Sequence, residues 1–485
     1  MAKAIYMQRK FLTSLSLIVV LNLLVKPLYI FGIDAQVQNT VGQELYGTYF
    51  FLLNVSYLFN LLSDFGINNY QNRSVSQNEK AFQGHFDKLL VVKGFLSLVY
   101  AIITLLIGLF LNLSEFEFKL LLLLIFNQVL VSFIQFARSN LAGLHEFKRD
   151  SIISVLDRVI LIVCCGFLLY GSWFDLPFQI AWFVYLQSAA YAITLMVAFV
   201  MLTKHIHKLR LRFDWQYAKY IMRRSAPFAL FMLSAALYNR VDGVMLRELH
   251  DEGVLQVGYY AQGFRFYDAA SMFAFLFASL LLPIYSKLLA KRQDVKPILG
   301  MASRLLTGIG LLGAIFVLFE GEWLLALFFD EVSTDSILAF QALMLAFVGM
   351  CWFYIYGTLL TANADLKLLN IIALTGLGVN IVINVLLIPR FGAFGAALAT
   401  MVTQLFCGLY QMVVVVKKFR FGWNWKMIRQ FVLLAVVYLS LLYGLNLLPI
   451  PANWQALIAF CLAPIWLVVS GFLDIAALRD ALKSG

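Results

Sequence analysis

The chain has 485 residues, 62% of them hydrophobic and 13% charged, whereas a soluble domain is about 45–50% apolar. That balance excludes a soluble globular protein and predicts an all-α polytopic membrane protein. The formal charge of +11 would suit a nucleic-acid surface if it were clustered, so its placement along the chain decides its meaning.

Apolar runs set against polar punctuation predict fourteen transmembrane helices, near 11–33, 44–66, 86–111, 118–138, 150–171, 179–202, 220–240, 255–284, 302–319, 336–362, 367–388, 391–416, 428–448 and 454–473. The first apolar run, of about 23 residues, exceeds the roughly 7–15-residue core of a signal peptide, and no small-residue cleavage site follows it. It is expected to remain as a helix. Lys and Arg in alternate connections number 29 on the side of the N-terminus and 4 on the opposite side. The positive-inside rule then places both termini in the cytoplasm with an even number of spans. A missed or extra helix would scramble this alternation. The basic connection "KHIHKLRLRFDWQYAKYIMRR" is accordingly a topology signal with anionic lipid as its natural neighbour, and nucleic acid is not expected as a partner.

That connection divides the chain into an N-lobe (1–212, helices one to six), a C-lobe (213–418, helices seven to twelve) and a final helix pair (419–485). The lobes read as copies. "VGQELYGTYFFLL" leads into helix two and "EGVLQVGYYAQGF" into helix eight; at an offset of 211, Gly42, Gly47 and Tyr49 fall on Gly253, Gly258 and Tyr260. Both segments enter from the same side, so the repeat is parallel. Halves of that kind are related by an axis along the membrane normal, with a central cavity expected between them.

Three soluble-enzyme patterns fail on context. "GIGLLG", Gly308–Gly313, lies within an apolar helix with no strand before it, and its small residues suit close helix packing. "DFG", Asp64–Gly66, has no other kinase signature around it. "HIH", His205 and His207, sits in a basic loop without further ligands. The five cysteines, Cys164, Cys165, Cys351, Cys407 and Cys461, lie in apolar segments without metal or disulfide spacing. No enzyme, metal or cofactor is expected.

The informative residues are the polar ones inside the helices. Arg265, about ten residues into helix eight, is expected roughly 15 Å deep at 1.5 Å per residue. A charge at that depth by default faces a bundle or a water-filled cavity. Gln262, Arg265, Asp268 and Met272 form one stripe. Helix one carries Asn22, Lys26 and Tyr29, with Pro27 expected to bend it. Helix five offers Ser151, Ser154 and then Asp157 or Arg158, which are adjacent and point about 100° apart. Helix eleven has Asn380 and Asn384. Cations in helices one, five and eight point to a positively charged cavity for an anionic substrate, with Lys26, Arg265, Arg158, Asn22 and Gln262 as candidate binding residues. Asp268 and Asp157 are candidates for coupling to a proton or sodium gradient; Asp268 is equally a candidate tether for Arg265. Lys93 is read as lying near its helix end, and Asp64 and Arg240 as boundary residues.

"YGTYFFLLNVSYLFNLLSDFGINNYQNRSVSQ", "LYNRVDGVMLRELHDEGVLQVGYYAQGFRFYDAASMFAFLFASLLLPIYSKL" and "LNIIALTGLGVNIVINVLLIPRFGAFGAALATMVTQ" together resemble the polysaccharide-transporter branch of the multidrug/oligosaccharidyl-lipid/polysaccharide exporter superfamily. The signal lies in their order across almost the whole chain. The resemblance implies an O-antigen or capsule flippase of the bacterial inner membrane. Such a flippase moves an undecaprenyl-diphosphate-linked oligosaccharide between leaflets by alternating access, beside a polymerase and other polysaccharide-assembly proteins. It also implies a basic residue after the G-x-Y segment, where Arg265 falls. The alternative within the superfamily is a cation-coupled multidrug exporter, which would favour an acidic, aromatic cavity. A membrane polymerase or ligase would need a substantial outer loop, and the longest here, about Arg240–Val254, is short.

Overall fold

The computed structural model describes residues 20–68, 71–72, 75, 80–171, 177–206, 213–422 and 424–472. Positions 11–19 of the first expected helix, His207 with residues 208–212 of the basic connection, and position 473 lie outside the described residues. In hydrocarbon every backbone N–H and C=O must be paired within the segment, and the described chain is helical throughout its apolar runs.

In chain order the helices are α1 (Val20–Val41), α2 (Gln43–Leu58, followed by a 3-10 turn at Asn60–Ser63), α3 (Lys80–Phe110), α4 (Glu115–Gly143), α5 (Phe147–Tyr170), α6 (Ile180–Thr203) and α7 (Trp215–Leu249). There follow α8 (Gly253–Ala290), α9 (Lys296–Ala326), α10 (Thr334–Ala362), a broken stretch Leu366–Lys418, α13 (Trp425–Asn446) and α14 (Ala452–Val469). The broken stretch holds two arms, α11 (366–391) and α12 (393–418), separated at Gly392.

Eleven of the described helices are long and apolar enough to cross a membrane. The Leu366–Lys418 stretch supplies two crossings, α2 is short at 16 residues, and α7 carries Arg240, Asp242 and Arg247 in its apolar run. These account for the expected fourteen.

The reversal at Gly392 has a local cause. Its φ is +49°, in the region that side chains disfavour, and Pro389 just before it cannot donate a helical hydrogen bond. A Cβ at Gly392 would also collide with the Gln256 side chain, whose Oε1 accepts from the Ala393 N–H at 2.7 Å. The arms fold back so that Cys407 packs on Gly376.

The chain forms two compact units, Met1–Arg247 and Glu248–Gly485. In the first, Phe86, Phe136, Leu141, Ile153, Leu202 and Ile221 share one core across α3 to α7. A capping box, Ser114 with Glu117, starts α4. Helix α7 is fastened to α2: Arg240 stacks 4.8 Å over Tyr57 and Arg247 4.3 Å over Phe51. Arg247 also donates to Glu117 at 2.7 Å.

In the second unit α10 is the central helix, packed on α8, α9 and the α11–α12 hairpin. At the α10–α12 crossing a Cβ on Gly349 would stand 2.5 Å from the Leu405 backbone nitrogen, so the two backbones touch. The GIGLLG segment does serve packing: Gly308 lies against Leu467 of α14 and Gly310 against Cys351 of α10.

The sequence repeat has a structural counterpart within each unit. Tyr49 Oη accepts from Gln187 Nε2 on α6 at 2.8 Å, and Tyr260 Oη lies 3.4 Å from Thr400 Oγ1 on α12. In each case the tyrosine after the paired glycines reaches the last helix of its six.

Candidate functional site

In the first unit the polar stripe of α1 faces α5. Buried Asn22 donates through Nδ2 to Ser154 Oγ at 3.1 Å, and the Tyr29 ring carries the Arg158 guanidinium 4.6 Å from its centroid. Lys26 lies between Asn22 and Tyr29 on the same helical stripe, so it shares the face turned to α5. Arg158 also donates to Tyr191 Oη on α6 at 3.1 Å. Three helices thus converge on one cation.

Asp157 and Arg158 meet only loosely, at 3.9 Å. The Asp157 carboxylate instead accepts from the Arg158 backbone N–H at 2.9 Å. This follows from adjacency: the two side chains leave the helix in different directions, as their spacing predicts. A planar guanidinium sandwiched by aromatic faces keeps part of its N–H fork for a further acceptor.

Helix α1 contains a π-turn over Ile30–Asp34, one turn beyond Pro27. Within it, Asp34 accepts from Tyr46 Oη on α2 at 3.0 Å, while Gly32 O accepts from Tyr170 Oη on α5 at 3.0 Å. The sequence predicts a bend at Pro27 but not this wider turn, which lies a few residues further on.

In the second unit Gln262, Arg265 and Asp268 share one face of α8. Gln262 Nε2 donates to the Glu331 carbonyl at 2.8 Å, and the buried Arg265 guanidinium stacks 5.2 Å over Phe329. Both contacts are with the connection between α9 and α10. Asp268 is half-buried on the same face. On α11, Asn384 Nδ2 donates to Asn380 Oδ1 at 3.1 Å, the i, i+4 pair that the spacing predicts.

Sequence reasoning passed over one buried pair. Lys93 Nζ donates to Asp64 Oδ1 at 2.9 Å and lies 5.8 Å over the Phe136 ring. The Lys93 side chain is fully enclosed and that of Asp64 is 16% exposed, so this is an intramembrane ion pair. Around it Ser63 donates to Ser132 at 2.7 Å and Asn60 to Gln128 at 2.9 Å. An unmatched lysine in an apolar run opposite an unmatched aspartate was the available signal.

Among the described residues, long apolar helices with charged and aromatic side chains gathered inside define a polytopic membrane protein. Among solved structures, lipid II flippase MurJ in an inward closed conformation superposes with a TM-score of 0.69 at 16% identity, covering 99% of this chain and 100% of that one. An inward-facing multidrug resistance MATE family transporter of the MOP superfamily gives 0.63 at 14% identity, over 80% and 94%. A MOP superfamily transporter from Pyrococcus furiosus, described as having a binding pocket of reverse polarity, gives 0.57 at 14% identity, over 84% and 96%. At such identities the likeness defines the fold. The chain belongs to the polysaccharide biosynthesis protein family, whose profile matches residues 11–289. An uncharacterized membrane protein of Methanocaldococcus jannaschii is 27% identical over 192 residues, 38% of this chain and 43% of that protein's length.

Proposed function

We propose that this chain is a flippase for a lipid-linked oligosaccharide, carried on undecaprenyl diphosphate in the bacterial inner membrane, working by alternating access with both termini in the cytoplasm. The observation that carries the reading is Arg158, stacked on Tyr29 and bonded to Tyr191, on the stripe that Lys26 shares. Guanidinium and ammonium together recognise a diphosphate, the guanidinium by a planar fork and the ammonium as a point charge. Arg265 and Gln262 supply a second cationic and polar group on α8, and Asn22 positions Ser154. Asp157, beside Arg158, and Asp268 are the groups proposed to couple transport to a proton or sodium gradient. Polymerase and other assembly proteins are the proposed neighbours of such a flippase.

The test is genetic and chemical together. Disruption of the gene in its host traps the lipid-linked oligosaccharide on the cytoplasmic leaflet and removes surface glycan. Wild type restores it, and a Lys26→Gln/Arg158→Gln variant that reaches the membrane does not. Normal surface glycan in the disrupted strain overturns the reading. Drug sensitivity that follows expression of the gene would instead favour the multidrug branch.

A further inference from the structure

The second unit holds a cavity of about 540 Å³ between α9, α10, α12 and α13, remote in sequence from the polar stripe of α8. Its origin is readable on α9, where Gly300, Ser303 and Thr307 are small residues on one face. Opposite them stand Trp352 and Tyr356 of α10, Met412 of α12, and Met427 and Phe431 of α13. The polar atoms of the inner wall are already used: Trp352 Nε1 donates to Thr307 at 3.1 Å and Ser303 Oγ to Tyr356 at 3.3 Å. What remains is hydrocarbon surface with two pliant methionines.

The mouth has the opposite chemistry. Lys296, Arg304 and Asn424 lie on the lining, with Asp294 as the acid there. Lys296 Nζ donates to the Phe421 carbonyl at 3.1 Å, and Asn424 caps α13 at Met427. Arg304 is exposed, and among the described residues it has no ion pair or hydrogen bond. The connections and helix ends that close this end carry Lys291, Arg292, Lys417, Lys418, Arg420 and Lys426, the density that marks a cytoplasmic face. Around the cavity Met301, Trp425, Val432 and Leu433 are exposed hydrophobics, as expected of a surface that meets acyl chains.

We propose that this cavity binds an anionic phospholipid of the cytoplasmic leaflet, one acyl chain inserted between α9 and α13 and the phosphate held by Arg304 and Lys296. A cavity of this size falls in the range of small-molecule sites. Its apolar wall does not hold water, and its mouth lies where basic pockets between helices take lipid headgroups. Eight residues separate Lys296 from Arg304, about 12 Å along the helix, so the two cations bracket the headgroup zone. Lys26, Arg158 and Arg265 are not among the residues that line it.

The cavity also supplies its own test. A Cβ built on Gly300 meets nothing within 4 Å, so a side chain there grows into free space. The full chain is purified, stripped of lipid in detergent, and titrated with phosphatidylglycerol or phosphatidylcholine while retained lipid is read by native mass spectrometry. Wild type is expected to retain phosphatidylglycerol in preference by about thirtyfold, the scale of two interfacial cations. Gly300→Leu and Gly300→Trp are expected to lose retention progressively with unchanged melting in lipid-free detergent. Lys296→Gln/Arg304→Gln is expected to lose the preference while still binding a chain. Equal retention of both lipids, or undiminished retention by Gly300→Trp, overturns the proposal. So does displacement by inorganic phosphate alone, or preferred retention of a polyprenyl phosphate, which would make the cavity an anion site or part of the cargo path. Surface-glycan complementation by the same variants is a separate readout, so failure here leaves the flippase reading to its own test.

Discussion

The Arg158 guanidinium lies 4.6 Å from the centre of the Tyr29 ring, which ties α5 to the polar stripe of α1. Burying that charge among apolar helices is costly alone, and aromatic faces return part of the cost as cation–π attraction of about 0.5–2 kcal/mol. The planar group is required, because a lysine at this position keeps the charge but not the stack or the fork. Arg158→Lys is expected to lower complementation of surface glycan about tenfold, a loss of about 1–2 kcal/mol, and Arg158→Gln to abolish it. Equal activity of Lys and Arg at this position would remove geometry from the account.

The Lys93–Asp64 pair predicts an asymmetry. Asp64→Asn leaves an enclosed ammonium uncompensated and is expected to cost about 3–5 kcal/mol. Replacing both residues, as Lys93→Met with Asp64→Leu, is expected to recover most of that loss. Thermal unfolding of the purified single and double variants in one detergent measures it. If the pair serves transport as well as folding, the double variant melts normally yet fails to restore surface glycan.

The two repeat tyrosines are not expected to weigh alike. Tyr49→Phe leaves Gln187 Nε2 buried without its 2.8 Å acceptor, a loss of about 1–3 kcal/mol. Tyr260→Phe removes a longer contact of 3.4 Å and should cost less. Melting temperatures of the two variants decide this, and a larger drop for Tyr260→Phe would contradict it.

Gly349→Ala is expected to prevent normal assembly of α10 on α12, since its added carbon would lie 2.5 Å from backbone atoms that cannot rotate away. Small residues at such crossings let helices approach within backbone contact. Membrane-inserted yield and protease resistance should both fall, while Gly300→Ala, with open space at its position, serves as the neutral control.

One acid-side prediction falls outside the spans. The Tyr217 N–H and the Lys88 ammonium, both 3.0 Å away, hold the Asp214 carboxyl below its ordinary range. A carboxyl lowered by folding stabilises the folded state above its unfolded pKa and loses that contribution as pH falls through the folded one. Asp214→Asn should therefore reduce the loss of melting temperature on acidification, with only a small change at neutral pH because the group is exposed.

The helices were legible because hydrocarbon permits few alternatives: long apolar runs, Gly and Pro punctuation and Lys/Arg alternation all report on one solvent. Even the reversal between α11 and α12 was placed within a few residues, since Pro389 and Gly392 are the breakers there. Side-chain partners were less legible. Asn380 and Asn384 follow from spacing on one helix, whereas Lys93 and Asp64 are 29 residues apart and meet only once α2 and α3 are packed. Arg265 was expected deep in its span, yet it stacks on Phe329, because the connection after α9 packs on the α8 face. Residue counting gives depth along a helix but not what covers it.

The π-turn at Ile30–Asp34 gives α1 two registers on a single helix. An i→i+5 turn inserts one residue relative to an α-helix, so everything beyond it is rotated by about 100° from where a regular helix would point it. Asn22 and Tyr29 look toward α5, and Asp34 is turned to Tyr46 on α2. Deleting one residue from 30–34 would mend the helix and exchange those partners in a single step. A slip of that kind lets the far end of α1 change neighbours while its near end keeps hold of Ser154 and Arg158.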